Sequence, residues 1–162
     1  MDRRSLLRKA GAGVVAGVAG CLGDAPGAGD GTDSPTDTST PVLVGTDFSI
    51  EDVGPGQRVE EAGVSTDGAE VVVDGTIHGN NGCYTAELAD AAVESGRLTA
   101  TIRSYERRPT GTESFACTQA IVEIDYRATA TFEGGLPDAV AVVHETPGGT
   151  DTVAETTLDG DS

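Results

Sequence analysis

Residues 122–132, which read Val-Glu-Ile-Asp-Tyr-Arg-Ala-Thr-Ala-Thr-Phe, decide the fold because their apolar and polar side chains alternate without a break. In an extended chain a period of two places every second side chain on the same face. One face of this stretch carries valine, isoleucine, tyrosine, alanine and phenylalanine, and the other carries charged residues and threonine. The stretch therefore predicts a long, half-buried β-strand.

Shorter stretches of the same kind occur on both sides of it. They predict strands at residues 71–77, 84–93, 98–102, 140–144 and 152–157. Residues 84–93 have the composition of a short helix as well, but the turn Glu94-Ser95-Gly96-Arg97 and the threonine-rich residues after it favour a hairpin. Glycine- and proline-containing turns such as residues 134–138 separate the other strands. We expect an all-β domain, either a small antiparallel β-sandwich of immunoglobulin-like type or a barrel.

The N-terminus has the organisation of an export signal. Arg3 and Arg4 precede a small-residue apolar run at residues 10–20, which has about half the roughly 20 residues that a membrane-spanning helix needs. The arginine pair followed by leucines resembles a twin-arginine signal, although it lacks the phenylalanine that many of these signals carry. The resemblance implies cleavage after residue 20.

Residues 18–21, Val-Ala-Gly-Cys, resemble a lipobox, in which the cysteine receives a diacylglycerol group. This resemblance implies that Cys21 becomes the lipid-carrying first residue and anchors the protein at the extracellular face of the cytoplasmic membrane. Residues 22–40 contain one large apolar side chain and predict a disordered acidic tether. The expected organisation is therefore a signal at residues 1–20, a lipidated cysteine and tether at 21–40, and one sandwich domain at 41–162.

The charge of the chain indicates its solvent. It contains 10 basic and 27 acidic side chains, and removal of the signal leaves 6 and 26, a formal charge of −20. The only lysine is Lys9, and the carboxylates are spread along the chain. This composition resembles that of haloarchaeal proteins, whose carboxylates keep the surface hydrated while molar salt screens their repulsion. The acidity disfavours nucleic acid as a partner.

Two cysteines remain after export, and they predict a disulfide. Cys83 and Cys117 form an even pair in an oxidising compartment. The segments Gly82-Cys83-Tyr84-Thr85 and 116–120, followed by the long strand, resemble an uncharacterised two-cysteine β domain that recurs in small secreted prokaryotic proteins. The resemblance covers about residues 69 to 145 and implies the paired cysteines and the sandwich, but no activity.

The search for chemistry yields no catalytic residue, no metal site and no cofactor. His78, Cys83, Cys117 and His144 are a formal zinc set, but their spacing matches no zinc motif and a disulfide would use both thiolates. The sole methionine is Met1, so a blue-copper site lacks its axial ligand. No nucleophile elbow is present, and close carboxylate pairs are expected by chance in so acidic a chain. We therefore predict that the protein is not an enzyme.

Two loops are candidate contact surfaces, residues 106–113 and residues 78–82, and the first is the better candidate. Arg107 and Arg108 are the only adjacent arginines in the predicted mature chain, and a guanidinium binds a carboxylate or an acidic glycan bidentately. The alternative role for the two arginines is to pair with Glu106 and Glu113. We predict a structural or binding module whose partner is an envelope protein or a glycan. The alternatives are a metal-binding or redox subunit with free thiols, and an inhibitor of secreted proteases that uses the arginine loop.

Overall fold

A computed structural model describes residues 39–108, 110–111 and 116–159 of the chain. This part folds into eight β-strands. In chain order they are β1 (Val42–Pro55), β2 (Glu61–Asp67), β3 (Glu70–Gly79), β4 (Tyr84–Glu94), β5 (Arg97–Glu106), β6 (Val122–Glu133), β7 (Ala139–Thr146) and β8 (Gly149–Thr157). The described ranges contain no helix long and apolar enough to cross a bilayer.

The strands form two four-stranded sheets that pack face to face as a sandwich. The first sheet has the order β1-β6-β3-β2 and the second the order β4-β5-β7-β8. The predicted sandwich is confirmed and the barrel alternative is wrong, because the sheets remain separate. The expectation of purely antiparallel pairing is also wrong in one place, where β5 and β7 run parallel. The strand order differs from that of an immunoglobulin domain, whose first sheet joins strands in the order 1-2-5-4.

All six predicted strands are present. Residues 122–132 and 98–102 alternate and residues 140–143 are uniformly apolar, whereas residues 84–93 were assigned from the turn that follows them and from the threonine-rich residues after it. Strand β4 pairs with β5 as the predicted hairpin, and the helical alternative for this segment is wrong. The turn fits its residues, since Ser95 and Gly96 both have positive φ values, of 50° and 77°. Two consecutive residues with positive φ are the signature of the tight turn that matches strand twist.

Two strands, β1 and β2, were not predicted. In β1, the longer of them, apolar and polar side chains do not alternate regularly because its pairing with β6 is interrupted. Its pairing with β6 shifts register between Leu43 and Gly45 and again between Ile50 and Asp52. Each shift inserts an extra residue and reverses the phase of the alternation. Strand β2 is only seven residues long and is mostly polar. Neither segment therefore shows a sustained period of two.

The core lies between the sheets and is built from the faces that the alternation predicts. Strand β6 buries the side chains at its even-numbered positions, including Ile124 and Tyr126, and leaves the odd-numbered ones partly or fully exposed. Opposite them the second sheet contributes Leu98, Ile102 and Val142, all at most 1% exposed. The aromatic-poor composition thus yields a core dominated by aliphatic side chains.

The predicted disulfide between Cys83 and Cys117 is present, with the two Cα atoms 5.3 Å apart. Cys83 lies in the connection from β3 to β4, and Cys117 lies in the connection from β5 to β6. Each connection passes from one sheet to the other, and both lie at the same end of the sandwich. The bond therefore fastens together the two segments that join the sheets at this end.

Candidate functional site

A groove opens at the disulfide end of the sandwich, on the side where the edge strands β1 and β4 face each other. It has a volume of about 500 Å³. The groove is lined by side chains of β1, by the β3–β4 connection, by the beginning of β4 and by the residue that follows β5. The lining residues are Ile50, Val53, Gly82, Cys83, Tyr84, Thr85 and Arg107.

The apolar wall of the groove comes from β1. Ile50 pairs with Tyr126 and Val53 pairs with Ile124, so both side chains project from the face of the first sheet that is buried elsewhere. Because β1 is an edge strand, the second sheet does not cover them, and Ile50 is 37% exposed and Val53 is 48% exposed. Exposed aliphatic side chains at a concave surface favour contact with an apolar partner.

Arg107 is the one charged side chain among the described residues that line the groove. Its backbone N–H donates to the carbonyl oxygen of Cys83 at 3.0 Å, which extends the pairing of β4 and β5 by one residue. Its Nη2 lies 3.4 Å from Thr85 Oγ1, so the guanidinium rests against the beginning of β4. No ion pair involves Arg107 within residues 39–108, 110–111 and 116–159. Among these residues the guanidinium makes one side-chain hydrogen bond, to Thr85, out of the five that its N–H groups can donate.

Arg108, the second arginine of the predicted binding loop, is exposed but does not line the groove. Adjacent residues of an extended chain point in opposite directions, which separates the two side chains. Glu106, the described member of the two predicted ion-pair partners, instead places Oε1 3.8 Å from Cys117 Sγ. Glu113 lies outside the described residues. Of the two arginines, the structure therefore brings Arg107 to a concave surface.

Hydrogen bonds fix the β3–β4 connection, which forms one wall of the groove. The N–H of Cys83 donates to Asn81 Oδ1 at 2.8 Å, and the N–H of Tyr84 donates to the carbonyl oxygen of Asn81 at 3.2 Å. Gly82 donates its N–H to the carbonyl oxygen of Thr118 at 3.0 Å, and a Cβ at this position would overlap the Thr118 hydroxyl. Together with the disulfide, these contacts make the β3–β4 connection a firm wall.

One of the two histidines, His144, lies in the core. It is 0% exposed, and its Nε2 lies 2.8 Å from the hydroxyl of Tyr126 across the sandwich. Nδ1 has no hydrogen-bond partner among the described residues. Burial disfavours the imidazolium and lowers the pKa of His144 to about 4, with a smaller contribution from the charge of His78. Burial, followed by the charge of Asp74, raises the pKa of Tyr126 above its ordinary value.

His78 lies on the other face of the first sheet. Its neighbour Ile77 points into the core, so alternation turns His78 outward, where Glu60 Oε1 lies 3.1 Å from Nδ1. This contact lacks the angles of a hydrogen bond. The two histidines therefore do not meet the cysteines as a ligand set, and both cysteine sulfur atoms are bonded to each other. The described ranges hold no group of three or more side chains arranged for a metal ion.

The apolar side of this groove could not be predicted from the sequence. Ile50 and Val53 lie on β1, which showed no strand pattern, so nothing placed them at a sheet edge near Arg107. Thr85 was assigned to a strand, but no sequence signal indicated that Arg107 would rest on it. Cys21, the predicted lipidation site, lies outside the described residues.

Comparisons with protein-family models, with curated proteins and with solved structures find no match to this chain.

Proposed function

We propose that the chain is a lipid-anchored, non-catalytic binding module on the surface of a halophilic archaeon. Its ligand would carry an apolar group next to a carboxylate, as at the C-terminus of a peptide. The observation behind this proposal is the position of Arg107, whose guanidinium lines a groove with the exposed side chains of Ile50 and Val53. The apolar group would contact the aliphatic wall while the carboxylate accepts hydrogen bonds from the guanidinium.

The acidity of the protein is compatible with an anionic ligand because of the solvent. The predicted mature chain has a formal charge of −20, which would repel anions in dilute buffer. At about 1 M ionic strength the screening length is roughly 3 Å, so distant carboxylates contribute little. A contact between Arg107 and a carboxylate at hydrogen-bond distance is much less affected. Local complementarity then outweighs the overall charge.

The position of the groove also suits a surface-anchored protein. The chain enters the sandwich at Val42, which pairs with Glu133 at one end of β6. Strand β1 then runs along the sheet to Pro55, which pairs with Val122 at the other end, where the disulfide and Arg107 lie. This end of the sandwich is therefore the one farther from the point where the chain enters it, and a flexible tether at that point would leave it accessible to a partner.

The described side chains favour binding over the alternative functions. The metal or redox alternative requires free thiols, whereas Cys83 and Cys117 are joined in a disulfide. A base for hydrolysis requires access to a substrate, whereas His144 and His78 are 0% and 5% exposed. No specific contact favours the protease-inhibitor alternative over a general carboxylate site.

The test uses acetylated tripeptides that end in leucine or phenylalanine, each prepared with a free carboxylate and as a carboxamide. Binding to the full-length protein in lipid nanodiscs is measured by calorimetry in molar KCl. We expect the free acids to bind and the amides to bind about tenfold more weakly, because a charge-assisted hydrogen bond contributes roughly 1.5 kcal/mol or more.

The matched variants are Arg107→Gln and Arg127→Gln. Arg127 lies on the outer face of the first sheet, where its Nε is 2.7 Å from Asp74 Oδ1, so it serves as a control for the loss of one cation. Arg107→Gln should remove the difference between acids and amides, and Arg127→Gln should preserve it. Equal binding of acids and amides by the unmodified protein would refute the proposal.

A further inference from the structure

Strand β1 forms one edge of the first sheet. Within the described residues β6 is its only strand neighbour, so half of its backbone hydrogen-bonding groups face outward. Four of the five exposed large apolar side chains of the described residues belong to it: Val42, Val44, Ile50 and Val53, between 37% and 54% exposed. The opposite edge of the same sheet, β2, is half as long and carries polar side chains such as Ser65 and Thr66.

We propose that β1 pairs with β1 of a second copy of the chain, antiparallel and about a twofold axis at Phe48. The inner-facing residues of β1 are those that pair with buried residues of β6, and they are Leu43, Thr46, Phe48, Ile50 and Val53. A twofold axis at Phe48 sets Leu43 opposite Val53 and Thr46 opposite Ile50. Inner-facing residues thus meet inner-facing residues, as a continuous sheet requires.

The carboxylates of β1 select this register. With the axis at Phe48, the acidic residues Asp47, Glu51 and Asp52 fall opposite Ser49, Gly45 and Val44. Shifting the pairing by one residue would turn the apolar face outward. Shifting the pairing by two residues moves the axis to Asp47 or to Ser49. In the first of these registers Ile50 falls opposite Val44, and in the second Thr46 falls opposite Asp52, so the inner-facing residues no longer all match. The first places Asp47 opposite its own copy and the second places it opposite Glu51, and like charges directly opposite each other are destabilising.

The pairing of two β1 strands would also join the groove that contains Arg107 to a second groove beside β1. It requires no bound ligand. Leu43 and Thr46 line a second groove of about 430 Å³ between β1 and β4. Leu43 and Thr46 fall opposite Val53 and Ile50 of the other copy. The groove lined by Arg107 in each subunit would therefore continue into the second groove of its partner. The dimer itself needs no occupant, so its test is separate from that of carboxylate binding.

The first experiment measures the mass of the full-length protein in detergent by size-exclusion chromatography with light scattering in molar KCl. We expect twice the protomer mass, falling to one protomer at low salt as repulsion between the acidic chains becomes unscreened. Thr46→Glu buries a carboxylate opposite Ile50 and should give a monomer. Thr66→Glu is the matched control, since Thr66 is also exposed on an edge strand, and should stay dimeric. A monomeric parent protein in molar salt, or a dimer unaffected by Thr46→Glu, would overturn the proposal.

The second experiment tests the register by cross-linking. Two tagged full-length proteins, Asp47→Cys and Ser49→Cys, are mixed and oxidised under mild conditions. Opposite residues of antiparallel strands have Cα atoms about 4.5–5.5 Å apart, which is within the range of a disulfide. The mixed pair should cross-link far faster than Asp47→Cys mixed with Ser65→Cys on β2. Equal rates for the two mixtures would show that β1 does not pair in this register.

Discussion

His144 is buried and hydrogen-bonded to Tyr126 in the folded protein. We therefore predict that acid lowers the free energy of unfolding, because the imidazole binds a proton more readily in the unfolded chain. The pKa of His144 lies at about 4 in the folded protein, against an ordinary value of 6.5. The unfolded chain therefore binds a proton at this residue at a higher pH than the folded chain does. The contribution of His144 to stability is complete above pH 6.5 and is lost as the pH falls from 6.5 to about 4.

The size of the effect follows from the shift. A change of about 2.5 pH units at roughly 1.36 kcal/mol per unit sets an upper limit of about 3 kcal/mol. This amount is a large part of the net stability of a small domain, which is commonly about 5–15 kcal/mol. Acid affects other parts of so acidic a chain as well, so the effect of His144 has to be isolated by comparison with a variant.

The comparison uses His144→Gln, which keeps a neutral hydrogen-bonding partner for the Tyr126 hydroxyl and removes the titration. Urea unfolding of both full-length proteins in molar KCl is followed by tyrosine fluorescence, because the chain has no tryptophan. The free energy of unfolding of the parent, minus that of the variant, should fall by about 2 to 3 kcal/mol between pH 6.5 and 4. A difference that stays constant over this range would refute the reasoning, whatever its absolute value.

Two further predictions concern the cysteines. Replacing both Cys83 and Cys117 by serine should lower the free energy of unfolding by about 4 kcal/mol, because the bond closes a segment of 34 positions. An unchanged urea midpoint would show that the β3–β4 and β5–β6 connections hold together without the disulfide. Intact mass spectrometry of the membrane-extracted protein should give a chain that begins at lipid-modified Cys21 and has no free thiol; a different first residue would contradict the anchor.

Much of the sandwich was predictable because the apolar residues of its central strands follow a regular pattern along the sequence. Strand β6 pairs on both sides and is buried on one face, so selection for packing leaves a strict alternation in residues 122–132. Strand β7 is apolar from Ala139 to Val143, and β5 alternates. The parallel pairing of β5 and β7 has no such signal, since either direction places the same side chains in the core.

The edge strand β1 shows why the candidate site could be predicted only in part. Arg107 stood out as one of two adjacent arginines in an acidic chain. Its partners Ile50 and Val53 lie more than fifty positions earlier in the sequence, on a strand whose bulges interrupt the alternation. No local pattern connects the two segments, so the groove appears only when the sheets are assembled.

The sequence by itself determined the all-β class, six of the eight strands, the β4–β5 hairpin and the pairing of Cys83 with Cys117. These features depend on local periodicity, on turn residues and on an even number of cysteines in a chain that is predicted to be exported. Tertiary structure alone decided the strand order, the parallel pair, the burial of His144 against Tyr126 and the exposed edge of β1 beside Arg107. Each of these depends on which distant segments become neighbours, and packing free energy selects those neighbours from the whole chain at once.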